Sequence, residues 1–478
     1  LARKYTLWAT VSGLEAVSRV GLQVVVTAVL ARLLRPEDFG VAALILALVT
    51  VFSMFVATPF EDALAQRKIL RTAHVGVALA VSWLAATGFL VLSVALGKGL
   101  AWAYGQSQMA LLLPATALSL FPTAPLVVGT ALARRHRRFN AIALSSLIAN
   151  VAASAATLAA AALGAGVWAL ILFRIVVVCV QAVALLAMVD APLRPRWSRR
   201  HFGDLSRFAW FTLWSRLTDN LTYLAFNTVI SLFGLSELGK FNMAMRVIEP
   251  VRGAAMAIAH NLNFSHFQPA AQDTSALGAR VREACARLSL LCGPAFFGIA
   301  AVAPLLIPTL AGPGWEESID ITRILALGSG CMLSFYSPVY TGLAASGRPQ
   351  YGLYANLFRL LAISAGAAVC AGFGAVGIGL ARVTGDASDV ALALLFARRR
   401  MQLSVGSVLS AAAAPLIFSA AMALCVAWAG PHLLAWLRPA AALAVSIGLG
   451  AALYGGLVAL FARGAARALL RPGGLRAA

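Results

Sequence analysis

Charged residues are scarce in this sequence. They make up 12% of 478 residues, about half of what soluble domains carry, while 61% of residues are hydrophobic. A soluble chain of this composition could not cover itself with polar groups, so lipid is the remaining solvent. Alternating apolar–polar segments of about ten residues are missing as well, which excludes a membrane barrel. No stretch between apolar runs exceeds roughly 25 residues, so there is no separate catalytic or binding domain outside the membrane. The six cysteines, at 179, 285, 292, 331, 370 and 425, have no metal or redox spacing, and the six histidines do not cluster. No catalytic residue, metal ligand or cofactor is expected, and the chain is not read as an enzyme.

Apolar runs long enough to span a bilayer recur from end to end. They predict about fourteen transmembrane helices, the first near 7–33 and the last near 439–462. The first run follows Arg3 and Lys4, is too long for a signal-peptide core and has no small-residue cleavage site, so it is expected to be a span. The spans at 241–264 and 375–397 contain charges, and the connections Gly164–Gly166 and Gly372–Gly374 are very short. The fold class is an all-α integral membrane protein. It has two six-helix lobes related by a pseudo-two-fold axis plus two C-terminal helices: 1–190, a basic linker 191–207, 208–397, and accessory helices with a basic tail at 398–478.

The net charge of +21 does not point to nucleic acid. With both termini on the cytoplasmic side, 25 lysines and arginines fall in inside loops and 6 in outside loops. That asymmetry is the positive-inside pattern of a multi-pass membrane protein with an even number of spans. The run Arg134–Arg138 is expected to face anionic membrane lipid.

The two lobes rest on an internal repeat. Ser18–Arg19 precedes an apolar stretch and then Pro36-Glu-Asp-Phe-Gly40; Ser215–Arg216 precedes another and then Ser236-Glu-Leu-Gly239. Transporters built from such halves place the substrate path at their interface.

Seven basic and five acidic residues lie within spans: Glu15, Arg19, Arg174, Arg216, Asp219, Arg246, Glu249, Arg252, Arg359, Arg382, Asp386 and Asp389. Such groups are costly in a bilayer and mark function by default. Several are three or four apart and can pair along one helix, among them Glu249 with Arg252 and Arg382 with Asp386. Pairing lowers the cost of insertion without explaining the charges, which a hydrated cationic cavity does explain. Arginine suits phosphate, because its planar fork donates two parallel hydrogen bonds and stays charged. The substrate-binding candidates are therefore Arg19, Arg216, Arg174, Arg246 and Arg252. Glu15, Asp219, Glu249 and Asp386 are candidate charge partners or coupling groups for a proton or sodium gradient. Arg359, near a cytoplasmic helix end, is expected to snorkel. Prolines in spans four and nine predict kinks.

The segment Ala31-Arg-Leu-Leu-Arg-Pro-Glu-Asp-Phe-Gly40, followed by a span and Ala63-Leu-Ala-Gln-Arg-Lys68, resembles the polysaccharide-flippase branch of the multidrug/oligosaccharidyl-lipid/polysaccharide exporter superfamily. Gly312-Pro-Gly-Trp315 and Ala345-Ser-Gly-Arg-Pro349 agree with it. The chain departs from that pattern at Ala57-Thr-Pro-Phe60, where relatives carry a glycine-rich stretch. The resemblance implies two lobes, a central cavity and alternating access. It also implies a substrate, undecaprenyl-pyrophosphate-linked oligosaccharide flipped for O-antigen, capsule or exopolysaccharide, and polysaccharide polymerase or export machinery as partners. Two rivals stand beside it. One is a drug-cation exporter or peptidoglycan-precursor flippase of the same superfamily, disfavoured by the basic excess within spans. The other is a glycan polymerase or ligase, disfavoured by the short outward loops.

Overall fold

The computed structural model describes residues 21–67, 69–191, 193–267, 273–346 and 350–461. These form helices throughout, with no strand among the described residues. The order is α1 (Gly21–Leu33), α2 (Pro36–Gln66), α3 (Thr72–Tyr104), α4 (Met109–Ala117), α5 (Leu120–Arg135), α6 (Phe139–Ala162), α7 (Val167–Met188) and α8 (Arg199–Ser231). There follow α9 (Leu235–Phe267), α10 (Thr274–Ala311), α11 (Glu317–Ala345), α12 (Gln350–Cys370), α13 (Gly374–Met401), α14 (Val405–Trp436) and α15 (Pro439–Phe461). With α4 and α5 forming one span, Met109–Arg135, this is the expected set of about fourteen. Nine of the described helices are long and apolar enough to cross a membrane on composition alone; the charge-bearing α9 and α13 are equally continuous. The short connection after α6 is a true turn: Gly164 and Gly166 have φ of 79° and 57°, which only glycine adopts without strain.

The repeated motifs open helices. Pro36 fills the first position of α2, where its missing N–H costs nothing. Asp38 accepts the Arg35 backbone N–H at 3.0 Å. Glu237 lies in the first turn of α9, where a carboxylate meets the positive end of the helix dipole.

Proline shapes span four. Pro122 lacks an N–H and its ring crowds the carbonyl four residues back, and the span breaks at Leu118–Ser119 between α4 and α5. Pro125 leaves the Phe121 carbonyl without its helical donor, and Trp83 Nε1 of α3 takes that place at 3.1 Å. The same device recurs in α10. Pro294 orphans the Leu290 carbonyl, and the Tyr454 hydroxyl of α15 donates to it at 2.9 Å. Tyr454→Phe is expected to lower thermal stability by about 1–2 kcal/mol, since a buried carbonyl then loses its partner. Unfolding of the purified variant alongside the wild type measures this, and coincident curves would show that the bond contributes nothing.

The chain forms two compact units, residues 1–231 and 232–478. In the first, α2 packs against α8, α5 and α3, and α6 pairs with α7. The sequence repeat begins its second half at 208, whereas α8 lies in the first unit because it runs along α2 and α3. In the second, α10 is central, packing against α11, α14, α15 and α9, while α13 packs on α11 and α12. Exposed Trp102 and Trp436 sit at the C-terminal ends of α3 and α14, and indole rings favour the lipid–water boundary.

The basic run makes contacts within the first unit. Arg134 pairs with Glu61 at 3.0 Å and with Asp62 at 3.6 Å. Arg135 donates to the Arg67 carbonyl, and Arg138 to the Met188 carbonyl at 3.0 Å. The run ties together the neighbouring ends of α2, α5 and α7.

Candidate functional site

The second unit holds a cluster of charges inside the span helices, built from α9, α11, α12 and α13. Arg382 and Asp386 are one turn apart on α13, and Arg382 Nε donates to Asp386 Oδ2 at 3.1 Å. Asp389 follows one turn later and is fully buried. The Tyr340 hydroxyl of α11 donates to its Oδ1. Tyr336, one turn earlier, packs its ring 4.4 Å from that of Tyr340.

Arg359 of α12 supplies the second guanidinium. It is 6% exposed, and its Nη1 lies 3.8 Å from both Asp386 Oδ1 and Asp389 Oδ2. The snorkelling expected for Arg359 is therefore replaced by inward pairing. The close approach of α12 and α13 makes this reach possible. Beside the carboxylates stands Gly385, where a Cβ would come within 2.0 Å of Ile363 Cγ1, so only glycine admits the neighbouring helix.

Arg252 completes the cluster from α9. It pairs with Glu249 at 3.1 Å, as the three-residue spacing predicts. Both residues lie within electrostatic reach of Arg382. Arg252, Arg359, Asp386 and Asp389 line a small cleft of about 30 Å³ together with Tyr336 and Met332. The arrangement brings guanidinium donors together with carboxylates that hold those donors in place. Such a pocket can present arginine to an anion without leaving any arginine uncompensated when empty.

Of the residues singled out from sequence, Arg252, Glu249 and Asp386 come together here. Arg246 is half-buried on α9. Arg174, half-buried on α7, belongs to the first unit and has no carboxylate at ion-pair distance among the described residues. Glu15 and Arg19 lie outside the described residues, as do the side chains of Arg216 and Asp219 on α8. Arg382 was legible as a partner of Asp386, whereas Arg359 and Asp389 were visible only as charges within spans. Tyr340 carried no signal, because its partner is on another helix.

Comparison with known proteins fits this architecture. The family described as "Polysaccharide biosynthesis protein" matches residues 29–320, more than half of the chain. The succinoglycan biosynthesis transport protein ExoT of Rhizobium meliloti (strain 1021) is 26% identical over 330 residues, 67% of this chain. The match spans 65% of that relative, less than two thirds of its length. Among solved structures, the lipid II flippase MurJ in an inward closed conformation superposes with a TM-score of 0.75 at 14% identity, covering 96% of this chain and 99% of that one. An inward-facing multidrug resistance MATE family transporter gives 0.64 at 16% identity over 81% of this chain and 98% of that one. At these identities the likeness is one of fold. The chain belongs to the polysaccharide biosynthesis protein family and is a multi-pass membrane protein with the fold shared by MurJ and MATE proteins.

Proposed function

We propose that this protein flips a lipid-linked oligosaccharide, carried on undecaprenyl pyrophosphate, from the cytoplasmic to the outer leaflet of the bacterial inner membrane by alternating access. The observation that carries the reading is the arginine cluster inside the second unit, in a chain of a polysaccharide family. Of such a substrate, the pyrophosphate is the group that a bilayer excludes most strongly, and arginine is the side chain best suited to hold it. Arg252 is the proposed substrate contact among the described side chains. Arg19 and Arg216, at matching places in the repeat, are proposed as substrate contacts as well. A drug-cation exporter is less well supported, because Asp386 and Asp389 already face arginines and offer little to an organic cation. Nothing here favours a polymerase.

The test is translocation in proteoliposomes. A fluorescent undecaprenyl-pyrophosphate oligosaccharide is incorporated, and its exposure to a membrane-impermeant reagent is followed with and without protein. Protein-dependent exposure is expected, with loss in Arg19→Ala and Arg216→Ala. If folded protein leaves the host's own lipid-linked oligosaccharide where it was, the substrate assignment fails.

A further inference from the structure

We propose that Arg359 is a built-in counter-cation, filling the position between Asp386 and Asp389 that a bound sodium ion or a proton would otherwise take. The two carboxylates lie one turn apart on α13 and share a face. Each has one oxygen committed to a donor: Asp386 Oδ2 to Arg382, and Asp389 Oδ1 to Tyr340. Each turns its other oxygen toward Arg359 Nη1, at 3.8 Å in both cases. One nitrogen thus stands equidistant from two carboxylates, close enough to neutralise them and too far to be locked by a hydrogen bond.

Two carboxylates in such proximity, Asp389 buried and Asp386 half-buried, capture a proton or a cation unless positive charge is already present. Arginine remains protonated at any physiological pH and, being part of the chain, cannot leave. Among the described residues, the charged and titratable groups that meet the cluster include Glu249 and Arg252 on α9, Tyr336 and Tyr340 on α11 and Arg382 on α13. Glu249 pairs with Arg252, and Arg382 pairs with Asp386, so Arg359 is the cation that the described structure sets between Asp386 and Asp389. The sequence suggested Asp386 as a coupling group for a proton or sodium; the geometry points instead to a unit whose charge is fixed, taking up neither ion at this place. This goes beyond the flippase reading and does not depend on it.

The experiment uses the purified full chain in detergent, read by thermal unfolding, so no substrate is needed. Sodium is exchanged for N-methylglucamine at constant ionic strength, and pH is varied from neutral to mildly acidic. The wild-type midpoint is expected to be the same in both salts, and Arg359→Lys, which keeps a tethered charge, is expected to match it in that respect. Arg359→Gln is expected to melt several degrees lower in N-methylglucamine and to recover in sodium or in acid. Should Arg359→Gln fail to accumulate, the double variant Arg359→Gln/Asp389→Asn restores the charge balance and is expected to fold without sodium dependence. The proposal is overturned by a sodium-specific rise in the wild-type midpoint that disappears in Asp389→Asn. It is equally overturned by an Arg359→Gln protein as indifferent to sodium and acid as the wild type, or by a double variant that does not recover.

Discussion

Gly385→Ala is expected to destabilise the protein by about 2–3 kcal/mol, a large effect for one methyl group. The added Cβ would stand 2.0 Å from Ile363 Cγ1, 3.0 Å from its Cδ1 and 3.2 Å from its Cβ, so α12 and α13 must separate or rotate. Either movement carries Arg359 away from Asp386 and Asp389, which it faces from across that contact. The steric and electrostatic parts can be told apart. Ile363→Ala removes Cγ1 and Cδ1, the two closest atoms, at the cost of a cavity. In the Gly385→Ala/Ile363→Ala protein the two changes are expected to compensate, leaving it more stable than the sum of the single losses predicts. Thermal or denaturant unfolding of the four proteins measures the coupling. Simple additivity would show that the helices do not press on each other here.

Arg252→Gln is expected to slow oligosaccharide flipping by about 10- to 100-fold with little change in stability. The transport loss follows from removing a charged hydrogen bond to phosphate, on the order of 1.5–3 kcal/mol. The stability change is small because the Arg252–Glu249 pair is partly exposed, 27% and 46%, and such pairs contribute at most about 1 kcal/mol. Initial rates in the proteoliposome assay, set beside a melting curve for the same preparation, separate the two. A variant that transports at the wild-type rate would take Arg252 out of the substrate path.

The helices were legible in the sequence because lipid imposes a simple rule: an apolar run of sufficient length, closed on its own hydrogen bonds, is a helix. Even the breaks were legible, as in Pro122 dividing α4 from α5 and Gly164–Gly166 turning between α6 and α7. The site was legible only where both partners share a helix. Arg382 with Asp386 and Glu249 with Arg252 followed from spacing alone. Arg359 did not, because its partners are on α13 and because helices apolar on nearly every side carry no stripe to reveal their rotation. A position near a helix end suggested a side chain reaching for water; packing against α13 turned it inward. Tyr340 is the same case, a hydroxyl whose purpose appears only once α11 is set against α13.

The bond from Tyr454 to the Leu290 carbonyl has a mechanical consequence. A helix bends most readily where proline has left a carbonyl open, and at Pro294 the stay across that weak point is anchored in α15. Any flexing of α10 at Pro294 is therefore tied to the seat of α15. Flexing α10 there must carry α15 along or break the bond, and a sideways push on α15 is delivered to α10 by leverage. Since α15 presents Ile447, Leu460 and Phe461 outward, that push comes from the surrounding acyl chains. Bilayer thickness and lateral pressure become inputs to the posture of the second unit's central helix, and lipid acts on it as a load rather than only as a solvent.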